Sequence, residues 1–151
     1  MDLVPAPAAP LHPLFAQLAT RHGFTELTAE SFDEWIAAPG NALMAFVEEP
    51  AKIKESLDLA VIAPELARAF PGALRTAVLM PPAARALAVR YGLRRWPALV
   101  VLRDGGYLGA IEGLRNWNEY VDELARLFAA PVTRPPSIGV AVAGAAAPGC
   151  S

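Results

Sequence analysis

Two kinds of apolar segment alternate along the chain. Some are short and nearly unbroken, such as 42–47, 76–80 and 98–103; others recur every three or four residues. Unbroken runs suit strands covered on both faces, and the longer spacing suits helices that bury one stripe. Leu11, Leu14, Phe15 and Leu18 predict a first helix closed by Gly23, and 24–27 a short edge strand. A Ser31-x-x-Glu34 capping box predicts a second helix that carries Phe32, Trp35 and Ile36 inward. Leu59, Ile62, Leu66, Ala69 and Phe70 mark a third, with Pro64 in its interior and a kink expected there. Pro81-Pro82 opens a fourth over 83–91.

The last helix has the clearest pattern. Trp117, Tyr120, Val121, Leu124, Leu127 and Phe128 form one stripe, with Asn116 and Glu119 placed to cap its start. Asp104-Gly105-Gly106 joins strands 98–103 and 107–112 as a hairpin. The predicted order is α-β-α-β-α-β-α-β-β-α, an α/β domain with a mixed sheet between helical layers. Residues 1–10, with three prolines and three alanines, read as a flexible lead-in. The domain is expected over 11–130. Residues 131–151 hold four prolines, three glycines, one charge and no aromatic residue, and predict a disordered tail.

Composition narrows the chemistry. The single cysteine, Cys150, can neither close an intrachain disulfide nor anchor a multi-thiolate metal site. His12 and His22, ten residues apart, fit no zinc pattern, so neither metal nor cofactor is expected. No apolar run reaches the roughly 20 residues of a membrane helix, and the start of the chain lacks a basic, secretory character. A cytoplasmic location without membrane insertion or nucleic-acid binding is the expectation. Net charge is only −2 but uneven: 26–65 holds nine acids and two bases, whereas 66–115 holds eight arginines and two acids. Such asymmetry suits an electrostatically chosen partner.

The Trp96-Pro97 corner stands out because proline cannot donate to a ladder and here directly precedes a strand. Ile62-Ala63-Pro64, Tyr91-Gly92-Leu93 ahead of Trp96-Pro97, Leu99-Val100-Val101-Leu102, Asp104-Gly105-Gly106 and Gly113 together resemble the thioredoxin fold over 42–128. The resemblance implies a thioredoxin-like three-layer α/β/α sandwich with a mixed central sheet, and a cis bond at Pro97. It also places the two redox cysteine positions on Ser56 and Leu59, and a buried acid on Ala45. Disulfide exchange needs a thiolate at that helix start, so the redox pair is degenerate. For Ser56 a helix N-cap is the simpler role.

The Trp35 helix, Glu65-Leu66-Ala67-Arg68-Ala69-Phe70-Pro71, Tyr91-Gly92-Leu93-x-x-Trp96-Pro97-Ala98, Gly105-Gly106-Tyr107-x-Gly109 and Asn116-Trp117 resemble the HyaE/HupG/HoxO family of hydrogenase-expression accessory proteins. That resemblance implies a non-catalytic chaperone for the small-subunit precursor of an uptake nickel–iron hydrogenase. It implies contact with the precursor's twin-arginine signal peptide, and leaves room for a second hydrogenase accessory protein. On this reading Trp96 offers a rigid apolar contact beside a peptide groove. Glu48, Glu49, Glu55 and Asp58 form an acidic margin for arginine forks. The competing readings are an oxidoreductase that works without a paired-cysteine motif, through Cys150 or a partner's thiol, and a structural subunit of a larger complex.

Overall fold

The computed structural model describes residues 11–70 and 72–136. Five helices, α1 (Pro13–Thr20), α2 (Phe32–Ala37), α3 (Glu55–Ala69), α4 (Ala83–Ala88) and α5 (Trp117–Phe128), alternate with β1 (Thr25–Leu27), β2 (Asn41–Phe46), β3 (Leu74–Leu79), β4 (Ala98–Arg103) and β5 (Gly106–Glu112). A 3-10 turn, Val89–Tyr91, follows α4. The strands form one sheet in the order β1-β3-β2-β4-β5. The first three are mutually parallel, and β4 and β5 run antiparallel to their neighbours. This is the thioredoxin-like sandwich with a mixed sheet, in the expected order.

The unbroken apolar runs reflect burial on both faces. Leu43, Ala45 and Val47 on one face, with Leu99 and Val101, pack under α1, α3 and α5. Ala42, Met44 and Phe46 on the other, with Ala98, Val100 and Leu102, pack under α2 and α4. Successive strand residues point to opposite faces, so a sheet with helices on both sides needs apolar residues at every position. The β4–β5 hairpin closes through Asp104 and Gly105, both at positive φ (53° and 82°), as the twist of a two-residue hairpin turn requires. Asp104 also reaches across the molecule: the Gly40 N–H donates to its Oδ1 at 2.7 Å, and its own N–H donates to the Gly40 carbonyl at 3.0 Å.

Helix α3 runs from Glu55 to Ala69 with Pro64 in its interior, as expected, and its N-cap is Lys54. Two local expectations change. The Ser31 capping box does not form, because Ser31 Oγ accepts from the Thr28 N–H (2.9 Å) while the Ser31 N–H donates to Thr28 Oγ1 (3.1 Å). A local turn of short hydroxyl side chains thus takes the cap's acceptor. Trp117 begins the α5 stripe yet is 46% exposed. Helical side chains lean toward the N-terminus, so the first residue has no earlier turn to cover. The rest of α5 follows its pattern: Tyr120, Leu124 and Leu127 are buried, and Asn116 and Glu119 exchange both bonds of a capping box.

Residues 131–136 turn back against the sheet, where the Thr133 N–H donates to the Tyr107 carbonyl at 2.8 Å beside β5. The remainder of the proposed tail, with Cys150, and the lead-in 1–10 lie outside the described residues.

Candidate functional site

The end of the sheet that carries Pro97 is assembled by register. Phe46 of β2 faces Ala98 of β4, and Ala98 faces Glu112 of β5. The residues just beyond β2, just before β4 and just after β5 therefore lie side by side, and the Trp96–Pro97 corner sits in the middle of that row. The Trp96–Pro97 bond is cis.

Hydrogen bonds hold this corner from one side. The Glu112 carboxylate accepts from the Arg94 N–H at 2.6 Å and from the Arg95 N–H at 2.9 Å, both through Oε1. The Pro97 carbonyl accepts from the Gly113 N–H at 2.8 Å. Between these fixed points, among the described residues, neither the N–H nor the carbonyl of Trp96 has a partner in the chain. Backbone polar groups are almost always paired when buried, so this open pair faces an accessible position. The Trp96 indole is half-buried against the cluster under α2 and α4. One side chain thus anchors the corner and contributes only part of its surface to any contact outside.

On the β2 side the four expected acids separate into two kinds. Glu49, Glu55 and Asp58 are exposed. Glu48 is not on an open margin: its side chain is 9% exposed, and Arg85 of α4 holds both its oxygens, Nε to Oε2 at 2.8 Å and Nη2 to Oε1 at 2.6 Å. That is the fork-to-carboxylate geometry expected of an external arginine, supplied here by the chain itself. The Arg85 bond holds the Glu48 carboxyl below its ordinary range, against the opposing effect of burial. Arg85 Nη2 also lies 3.6 Å from Glu49.

Ser56 is fully buried and lies in the first turn of α3, two residues past the N-cap, so it is not the cap. Its Oγ accepts from the Glu48 N–H at 2.9 Å, which ties the start of α3 to the end of β2. Leu59, one turn on, is 1% exposed within the core. Both positions serve packing in this chain. Ala45 likewise lies in the apolar core. What the pattern of residue types did not reveal is Arg85 and Glu112, whose partners lie 37 and 17–18 residues away.

Residues 14–120 match the family model described as hydrogenase-1 expression protein HyaE. The chain belongs to the HyaE family. Among curated relatives, this HyaE-family chain is 39% identical over 152 residues to the hydrogenase expression/formation protein HoxO of Cupriavidus necator, covering 99% of this chain and 94% of that one. It is 33% identical over 127 residues to HupG of Bradyrhizobium diazoefficiens, covering 82% and 86%. A crystal structure of the hydrogenase expression/formation protein hupG from Rhodopseudomonas palustris CGA009 aligns at 31% identity with a TM-score of 0.49, covering 70% of this chain and 95% of that one.

Proposed function

We propose that this HyaE-family chain is a maturation chaperone for the small subunit of an uptake nickel–iron hydrogenase. It holds the precursor in the cytoplasm, through its twin-arginine signal region, before export. The observation that carries the reading is the open backbone of Trp96 ahead of a cis proline, with its neighbours' amides already committed to Glu112. An extended segment laid there adds main-chain bonds as one more strand, and flanking side chains supply selection. Glu49, Glu55 and Asp58 supply the acidic margin for arginine forks, while Glu48 fixes that margin's base through Arg85. The names of HoxO and HupG as hydrogenase expression/formation proteins support the hydrogenase-directed role.

The role is recognition without catalysis, in keeping with a buried Ser56 and a core Leu59 at the degenerate redox positions. The test is co-purification with the precursor, with and without its signal peptide, using the Glu49→Lys/Glu55→Lys/Asp58→Lys chain beside the wild type. Binding that needs the signal peptide and falls in the triple variant at low salt supports the reading. Unchanged capture by the variant removes the acidic margin, and capture of the mature subunit alone removes the signal. An insulin-reduction assay with a Cys150→Ser control checks the competing enzyme reading: activity in the wild type refutes the non-catalytic assignment, and its loss in the control assigns that activity to Cys150.

A further inference from the structure

The eight arginines between residues 66 and 115 look in sequence like a uniform basic block. Their contacts divide them. Arg68 pairs with Glu65, Arg85 with Glu48, and Arg90 with Asp33. Arg75 donates to the Trp35 and Ala38 carbonyls at the end of α2, and Arg103 to the Phe128 and Ala130 carbonyls at the end of α5. Five of the eight thus have partners within the chain.

The other three, Arg94, Arg95 and Arg115, are exposed and, among the described residues, make no ion pair. The backbone of Arg94 and Arg95 and the side chain of Arg115 meet at Glu112. Its carboxylate is turned toward the Arg94 and Arg95 amides, and its carbonyl lies 3.4 Å from the Arg115 guanidinium. The local acid therefore positions the backbone, with no ion pair to any of the three guanidinium groups. Arg115 also borders a shallow cleft with Glu119, Asp122 and Glu123. Glu119 is engaged by the Asn116 N–H and Glu123 by Arg126, which leaves Asp122 facing the cleft without an ion pair to Arg115.

We propose that Arg94, Arg95 and Arg115 form a docking site for an acidic segment of a protein partner, beside the Trp96–Pro97 corner. The proposal stands independently of twin-arginine recognition, since it uses the β5 side of the corner and the opposite charge. Guanidinium forks match carboxylates in pairs, and a backbone held by the Glu112 carboxylate reduces the ordering cost of presenting them.

The test uses the full chain, labelled with 15N and titrated with a blocked Gly-Asp-Glu-Asp-Glu-Gly peptide at low salt. The isosteric Gly-Asn-Gln-Asn-Gln-Gly peptide, inorganic phosphate and a short oligouridine are the comparison probes. The expected result is saturable amide shifts at residues 94–96 and 115, lost at high salt and absent with the Asn/Gln peptide. R94Q/R95Q/R115Q, with an unchanged circular dichroism spectrum, weakens binding about tenfold, as three exposed charge contacts allow. K52Q/K54Q, which removes charge on the other flank, does not weaken it. Shifts elsewhere, equal binding by the triple variant, or equal binding of the neutral peptide overturns the proposal. Tighter binding of phosphate or oligouridine than of the acidic peptide overturns it in favour of a phosphate-reading patch.

Discussion

Arg85 grips Glu48 through both carboxylate oxygens, and Glu48 in turn offers its backbone N–H to Ser56. Three elements, β2, α3 and α4, meet in that one chain of contacts next to the cis-proline corner. The arrangement fixes the start of the loop that carries the remaining acids.

Glu48→Gln keeps the shape and removes the charge. It should lower stability at neutral pH by about 1.5 kcal/mol, a typical contribution of a charge-assisted bond. The pH dependence has a definite sign. The folded-state pKa of Glu48 lies below its ordinary value of 4.5, so the pair's stabilisation is present above that value and is lost as pH falls through the lower folded-state one. Urea denaturation of both chains from pH 7 to pH 3 should show their difference shrinking on the acid side. A constant difference refutes this origin.

Ser56→Ala leaves the Glu48 N–H without its acceptor in a dry position. The expected loss is about 1–2 kcal/mol, measured by chemical denaturation. Ser56→Cys should yield a thiol that reacts with Ellman's reagent only after unfolding, because the position is fully buried. Cys150 is replaced by Ser in both chains so that the readout is single. Rapid reaction in the folded state contradicts the packing role of residue 56.

Gly92 is the test of the segment 131–136. It sits at φ +66°, and a Cβ there would collide with the Pro136 carbonyl oxygen. Gly92→Ala must therefore both strain the left-handed backbone and push this segment off. Hydrogen exchange at Thr133 should accelerate by at least an order of magnitude while that of the β2 core amides changes far less. Protection unchanged at Thr133 shows that the close approach does not hold.

Tyr91, Tyr107 and Tyr120 all have phenols raised by burial, Tyr91 to about 12. Their charged forms are favoured in the unfolded chain, so stability is full below pH 10 and falls as pH rises toward 12. Tyr91→Phe should flatten that fall, and absorbance titration at 295 nm should show the folded chain ionising later than the unfolded one.

Much of this fold is legible in local patterns because the forces involved are local or periodic. Helix α5 carries its cap, its stripe and its length in the consecutive residues 116–128, and the β4–β5 turn depends on two residues that accept positive φ. The candidate site is less so. Whether Glu48 is a free acid or a buried one depends on Arg85, and nothing near Glu48 in sequence announces it. Ser31 meets the formal capping pattern, yet Thr28 offers a nearer partner. The arginine block reads as one charge until five of its members find partners from Asp33 to Ala130. Residues 131–136 have the composition of a tail, yet a backbone bond from Thr133 and close approaches of Val132 to Gly106 and Pro136 to Gly92 hold them, none of which leaves a compositional trace.

That single bond from Thr133 has a consequence for the sheet's outer margin. Strand β5 is seven residues long and lies at the end of the strand order, whereas β1 at the other end has three. A long bare edge is a template for pairing with another molecule. The segment after α5 lies over the longer one at Tyr107, so a chain cut at Ala130 would keep every helix and strand named here and yet open that stretch of the edge to a foreign strand.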